Sequence, residues 1–276
     1  MARQSPSIRA GGISFRDYTL EEACQRMKAV GYDGFEVFKP QIAKCKTPEL
    51  LEQFVDYTKR MGLQVCALND VDAEDFRPFD PDNGFERTVQ FIKEGVRLAG
   101  ALGVKDVMFW EGVRPRGSNQ SRDDLLKVMI RLYKEAVAYS SKSGITLLVE
   151  PHPFSLGMDL DYLVRLCDAL DPRYFGVLYD CCHFGVGNPK GYIDAIHTLG
   201  KRIKYIHFSD SDMRTSELHY PLGKGKLDID GIVDAFVKTG YSGQISLDTW
   251  GYPLPEETSR IGIPVLKKTL RKLGLD

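Results

Sequence analysis

Four short stretches of this chain end in side chains that bind cations. Thr146–Glu150 reads Thr-Leu-Leu-Val-Glu, and Gln244–Asp248 reads Gln-Ile-Ser-Leu-Asp. Ile203–Asp210 carries His207. Phe175–His183 reads Phe-Gly-Val-Leu-Tyr-Asp-Cys-Cys-His, so Asp180 closes an apolar run and His183 follows three residues later. Each run has the length and character of a buried strand that opens into a polar place. Glu150, Asp180, His207 and Asp248 together form an oxygen-rich donor set. That set suits Mn²⁺ (the leading expectation), Mg²⁺ or Co²⁺ better than a structural, thiolate-bound zinc, although Zn²⁺ also fits. Carboxylates gathered at a buried rim are costly unless a cation neutralises them. His152 lies two residues after Glu150 and shares its side of the strand.

Taken singly, an acid or histidine at a strand end more often caps a helix or ties a loop than does chemistry. The weight of the reading comes from the scaffold that would bring the four together. Strands are expected at Ile8–Phe15, Phe35–Phe38, Gln64–Asp70, Asp106–Trp110, Thr146–Glu150, from Phe175 through the Asp180 stretch, Lys204–Phe208 and Gln244–Asp248. Helical periodicity falls between them, near 21–30, 48–61, 85–101, 123–140, 159–170, 192–199, 229–238 and 256–273. Glycines at 31, 62, 103, 144 and 240 precede strands, where a helix end calls for a left-handed residue. Eight strand-then-helix units predict a parallel sheet covered by helices, and their number matches a closed (β/α)8 TIM barrel of the α/β class. An open doubly wound sheet is the runner-up, but no Gly-x-Gly-x-x-Gly follows the first strand. No composition break marks a second domain, so 1–276 is read as one barrel domain. Polar loops near 72–84, 114–121 and 209–227 all follow strands, on the face where such barrels place their sites.

Composition narrows the rest. At 43% hydrophobic and 27% charged, the 276-residue chain is ordinary for a globular protein and excludes a disordered one. A formal net charge of −1 offers no footprint for nucleic acid or an acidic membrane surface. No apolar run reaches the length of a membrane helix, and residues 1–7 contain no signal-peptide core. Six cysteines without disulfide-framework spacing read as free thiols in a reducing, cytoplasmic setting. The Cys181-Cys182 pair lacks the usual zinc spacing.

The residues resemble the xylose-isomerase-like barrels of the sugar phosphate isomerase/epimerase superfamily, among them ketose 3-epimerases, hydroxypyruvate isomerases and inosose dehydratases. The resemblance rests on Val-Glu150-Pro, Asp180-x-x-His183, His207-x-x-Asp210 followed by Arg214, and Gly223-Lys-Gly225-Lys-Leu-Asp228. Gly31-Tyr-Asp-Gly34-Phe-Glu36 and Gly240-Tyr-Ser-Gly243 belong to it as well. It implies that Glu150, Asp180, His207 and Asp248 ligate the metal, that His183 and Arg214 hold substrate oxygens, and that Glu36 lines the pocket. In the epimerases, glutamates on strands five and eight both bind metal and exchange protons. Here the strand-eight acid is the shorter Asp248, which leaves proton exchange at that position open, and the acid expected six residues after Glu150 is replaced by Leu156.

The chemistry expected of such a site is stabilisation of an enediolate of a keto sugar, with Glu150 as general base and Asp248 and His152 as further catalytic candidates. Isomerisation or epimerisation is the leading expectation. A lyase or dehydratase is the alternative: inosose dehydration, or cleavage of a 3-keto-glycoside or C-glycoside. A remote one is an endonuclease IV-type nuclease, which builds its site from more histidines than the five here. A non-catalytic sugar-binding barrel would not need the acid cluster. Trp110 and Trp250 are candidate walls for a sugar, Glu111 lies beside the first, and His219 and Tyr220 either reach substrate or decorate their loop. Lys224 and Lys226 fit a phosphate or a solvated loop equally, and His197 reads as structural. The expected partner is a small carbohydrate, with no nucleic acid or membrane. Self-association and membership of a mixed complex are both compatible with the sequence.

Overall fold

The computed structural model describes residues 8–45, 47–71, 76–113, 115 and 119–275. Eight strands form a closed barrel in sequence order: β1 (Arg9–Ala10), β2 (Gly34–Phe38), β3 (Gln64–Asn69), β4 (Asp106–Trp110), β5 (Thr146–Glu150), β6 (Phe175–Asp180), β7 (Ile203–Phe208) and β8 (Gln244–Leu247). Every neighbouring pair is parallel, and β1 closes the barrel on β8 through Arg9–Ser246 and Ala10–Leu247. The longer helices are α1 (Leu20–Val30), α2 (Pro48–Arg60), α3 (Gly84–Leu102), α4 (Arg122–Ser140), α5 (Leu160–Asp168), α6 (Cys181–Gly187), α7 (Tyr192–Leu199), α8 (Ile229–Thr239) and α9 (Pro255–Leu273). This is the (β/α)8 barrel that the alternation of periods predicts.

Local chemistry sets the ends of these helices. Thr19 and Glu22 form a reciprocal capping box at the start of α1, and the side chains of Thr47, Ser121, Asp159 and Asp228 cap α2, α4, α5 and α8. The five glycines expected before strands all have positive φ, from 64° to 105°, a conformation that a side chain would strain. The polar loops expected at 72–84 and 114–121 fall partly outside the described residues, and residues 1–7 lie wholly outside them. No described helix is long and apolar enough to cross a membrane.

Two elements differ from expectation. β1 spans two residues rather than Ile8–Phe15, because the chain turns at Gly11-Gly12 into a 3₁₀ turn, Gly12–Phe15. The turn runs tight against β2: a Cβ on Gly12 would sit 1.9 Å from the Glu36 carbonyl oxygen. The second difference is at Cys181, where the apolar run leaves the sheet and becomes α6. Asp180 is then both the last residue of β6 and the cap of α6, its Oδ1 accepting the His183 backbone N–H at 2.7 Å.

The core has two parts. The larger lies between the barrel and its helices. The smaller fills the barrel with Ala67, Met108, Leu148, Leu178 and Tyr205, all fully buried. Side chains alternate along a strand, so the residue two positions on from each of these also points inward. Those residues are Asn69, Trp110, Glu150, Asp180 and His207. Asp248 stands in the same relation to Ser246, which bonds the Tyr205 hydroxyl at 2.8 Å. The candidate site is therefore the top layer of the barrel interior.

Candidate metal centre and active site

At the centre of that layer is His207. Its Nδ1 lies 2.9 Å from Glu150 Oε1, 3.6 Å from Asp180 Oδ2 and 3.5 Å from Asp248 Oδ2. All four residues are at most 3% exposed. The four residues expected as ligands thus converge, with three carboxylates meeting one imidazole nitrogen. On the other side of the ring, Nε2 lies 3.0 Å from Oε2 of the fully buried Glu36.

The electrostatics follow from this crowding. Burial opposes charge on His207, but Glu36 and Glu150 outweigh it and hold the ring well above its ordinary pKa. Burial likewise pushes the Glu150 carboxyl up, while His207, His152 and His183 more than offset it and keep the group well below the usual range. Asp180 and Asp248 are also lowered despite burial, the first chiefly by His183 and His219 and the second chiefly by His219. The cluster is held ionised by its imidazoles.

Asp248 is fixed from three sides. Ser14 Oγ donates to its Oδ1 at 3.1 Å and accepts the Thr249 N–H at 2.9 Å. The Trp250 N–H donates to the same oxygen at 3.1 Å. Its Oδ2 faces His207 and, at 3.3 Å, His219 Nδ1. Nothing in the local pattern around Ser14 marks it for this role; it depends on the turn at Gly11-Gly12.

His152, His183 and His219 form a chain of ring contacts around the floor. The His152 ring lies 4.1 Å from Trp110 and 4.0 Å from His183, centroid to centroid, and His183 meets His219 at 5.1 Å. His152 Nε2 is 3.8 Å from Glu150 Oε2. Burial dominates at His183 and pushes its pKa down to about 4, so this ring is neutral at pH 7. His219 is 1% exposed, and Asp180 and Asp248 raise its pKa well above the ordinary value against burial.

These groups open onto a cleft of about 390 Å³, lined at its floor by Glu150, His183, His207, His219 and Asp248. Trp110, His152 and Trp250 line its walls. Two expected substrate contacts are placed elsewhere. Glu36 stands behind His207 and does not line the cleft. Arg214 is exposed in the loop after β7, where its backbone N–H donates to Asp212 Oδ1, and it is not among the lining residues. His197 is exposed on α7.

The loop after β7 is organised by Asp210. Its carboxylate accepts the backbone N–H groups of Ser211, Gly223, Gly225 and Leu227 at 2.8–3.0 Å. A Cβ on Gly225 would lie 2.3 Å from Asp210 Oδ1, so the approach requires glycine there. Lys224 and Lys226 are exposed and do not reach the cleft. His219 is brought inward on this loop, its backbone N–H donating to the Trp250 carbonyl at 2.8 Å.

Glu111, at the end of β4, is buried outside the acid cluster. Its Oε1 accepts the Gly157 N–H at 2.5 Å, and burial pushes its carboxyl up to about 7. It ties the loop after β5 to that after β4, as does the Leu156 N–H, which donates to the Gly112 carbonyl at 3.1 Å. All six cysteines are free, and Cys182 Sγ lies 3.3 Å from Ser211 Oγ.

A family model for xylose isomerase-like TIM barrels matches residues 24–269. Among curated proteins, a fructoselysine 3-epimerase of Escherichia coli O157:H7 is 27% identical over 119 residues, 41% of this chain and 42% of that protein. An inosose dehydratase of Bacillus velezensis is 26% identical over 151 residues, 49% of each chain. An uncharacterised protein of Methanocaldococcus jannaschii is 23% identical over 165 residues, 58% of this chain and 56% of the other. The chain thus spans about half the length of the curated relatives it matches. Among solved structures, the IolI protein with a bound zinc atom superimposes with a TM-score of 0.78 at 19% identity, covering 97% of this chain and 98% of that one. A D-tagatose 3-epimerase-like protein gives 0.79 at 18% identity, with the same coverage. At these identities the structural likeness shows the fold.

Proposed function

Because the chain belongs to the xylose isomerase-like TIM barrel family, we propose that it is a metal-dependent sugar isomerase or epimerase acting on a keto sugar. The observation that carries this reading is the meeting of three carboxylates with His207 Nδ1 at the floor of a cleft. The residues fit a divalent cation. Asp180 Oδ2, His183 Nδ1 and His219 Nδ1 are buried there without hydrogen-bond partners, and the buried carboxylates Glu36, Glu150, Asp180 and Asp248 outnumber the two raised imidazoles, His207 and His219. Glu150, Asp180, His207 and Asp248 are the proposed ligands. The fit favours an oxygen-preferring ion, Mn²⁺ first, over a thiolate-bound one.

A bound cation supplies Lewis acidity toward the carbonyl and adjacent hydroxyl oxygens of a keto sugar. The chain's own residues do the rest. Glu36 would accept a hydrogen bond from His207 Nε2–H and so keep that proton in place, leaving Nδ1 to face the cation as an electron-pair donor. Glu150, held ionised, takes the proton α to the carbonyl and leaves an enediolate. His183, neutral and on the cleft floor, donates a hydrogen bond to a substrate oxygen. His152, beside Glu150 Oε2, relays the proton Glu150 has taken up back to the enediolate, at the neighbouring carbon for isomerisation or on the opposite face for epimerisation.

A second reading is elimination, as in a dehydratase or a glycoside-cleaving lyase, and the surroundings of Asp248 favour it. Epimerisation asks for a proton donor on each face of the substrate. Asp248 Oδ1 already accepts from Ser14 and Trp250, and Oδ2 faces His207 and His219. With Asp248 so occupied, the enediolate expels a β-substituent, protonated on departure by His152.

The test is a substrate panel in deuterated water. Chelated protein is reloaded with Mn²⁺ and incubated with ketohexoses, hydroxypyruvate, inosose and 3-keto glycosides. Deuterium in an isomeric sugar, lost on chelation and lowered about 10²- to 10⁴-fold in Glu150→Gln, supports the isomerase. Release of water or of an aglycone without isomer supports the lyase. Turnover that survives chelation would sink both.

A further inference from the structure

The floor of the cleft is accounted for by the proposed sugar chemistry, but its mouth is not. Phe154 is 54% exposed, at the outer end of a stack of rings. Its centroid lies 5.5 Å from Trp110 and 5.6 Å from His152, tilted 55° and 44° to them. His152 in turn lies 4.0 Å from His183 on the floor. The three outer rings therefore form an open corner rather than a flat wall. A planar ring entering it can lie offset on one face while meeting another edge-on, the two arrangements aromatic pairs prefer.

Across the barrel, β8 stands opposite β4, and Trp250 lines the other side of the cleft. One face of its indole is covered by the Arg16 guanidinium at 3.9 Å, and its Nε1 donates to Glu217 at 3.4 Å. The ring is thereby fixed at the edge of the cleft. Among the described residues no lysine or arginine lines the cleft, whereas Glu150, Glu217 and Asp248 do. Among the described residues, an anionic substituent at the mouth would meet Glu217 and no lysine or arginine. A sugar alone would leave the aromatic corner open to water, and an exposed apolar feature at a site commonly marks where a ligand lies.

We propose that the cleft takes a polyol bearing an uncharged aromatic substituent, of which an aryl glycoside is the simplest form, with the aromatic ring packed against the corner that Phe154 and Trp110 form. This rests on the sugar-directed reading of the floor. It makes Phe154 a specificity-determining residue rather than a catalytic one.

The chain's two tryptophans both line the cleft, so intrinsic fluorescence reports its occupancy. Mn²⁺-reloaded protein is titrated with phenyl β-glucoside, methyl β-glucoside and glucose 6-phosphate, by fluorescence and calorimetry. The phenyl glycoside is expected to bind at least tenfold tighter than the methyl glycoside, a difference of about 1.4 kcal/mol. In Phe154→Ala the preference is expected to fall below threefold while the methyl glycoside binds as before. Equal affinities for the two glycosides, tightest binding of the phosphate, or no binding of any of them would overturn the proposal. So would a change of solution mass in Phe154→Ala without loss of the aryl preference, which would assign Phe154 to a subunit contact. Because these are equilibrium measurements, an aryl preference without turnover in the deuterium panel would count against the isomerase reading alone.

Discussion

The Nε2 of His207 lies 3.0 Å from Oε2 of Glu36, on the side of the ring turned away from Glu150, Asp180 and Asp248. The pairing decides which nitrogen keeps its proton once a cation is bound, because a carboxylate accepts and cannot donate. Glu36→Gln preserves the shape but substitutes a weaker, ambiguous partner. Its divalent-metal affinity is expected to fall about 10- to 100-fold. Competition against a chromophoric chelator measures this, and affinity within twofold of the parent would exclude the role.

Ser14 ties the first turn of the chain to the eighth strand by donating to Asp248 Oδ1 and accepting from Thr249. Ser14→Ala leaves a buried acceptor and a buried N–H short of a partner. A loss of about 1–3 kcal/mol in unfolding free energy is expected in urea titrations of the metal-free protein. No change in the midpoint would mean that the turn repacks without the hydroxyl.

Glu111 gives a pH dependence of its own. Its ordinary pKa is 4.5, and burial raises it to about 7 in the folded protein. Between these values the folded state holds a proton that the unfolded state has released, so stability falls as pH rises through this window and levels off above it. Glu111→Gln is expected to flatten this slope and to gain on the order of 1–3 kcal/mol at pH 8 relative to its effect at pH 4. Unfolding free energies measured at pH 4, 6 and 8 decide it; parallel profiles for the two proteins would count against a buried neutral acid.

Leu178 lies inside the barrel directly below Asp180 and is fully buried. Leu178→Ala removes packing that the closed strands cannot collapse to replace, with an expected cost of about 2–5 kcal/mol. Thermal and chemical denaturation measure it, and a cost below 1 kcal/mol would mean that the interior layer is loosely packed.

Much of this arrangement is legible in the residues themselves. The period of two that places Leu148 in the barrel interior also places Glu150 above it, and the same holds for Leu178 with Asp180 and Tyr205 with His207. A strand-ending acid can therefore be assigned to the rim from sequence. What sequence hides is contact between distant segments. Ile8–Phe15 reads as a strand by its apolar residues, yet Gly12 meets the Glu36 carbonyl and bends the chain, which alone brings Ser14 to Asp248. Cys181–Gly187 resumes apolar residues directly after Asp180 with no turn residue between, so its change to a helix shows only in the capping of His183 by Asp180. His219 lies 39 residues after Asp180 in a long loop, and only the fold of that loop returns it to the acids.

The carboxylate of Asp210 occupies a cradle of backbone N–H groups of the sort that elsewhere receives phosphate. The chain thus carries its own permanent guest in its anion nest. That division separates what this segment must keep from what it can change. Asp210, Gly223 and Gly225 are fixed by the nest, and His219 by its bond to the Trp250 carbonyl, while Ser216 and Glu217 stand at the cleft edge outside it. Substitutions at that edge can redirect what the barrel accepts while the inner anchor stays in place, which leaves this loop room to diverge without refolding.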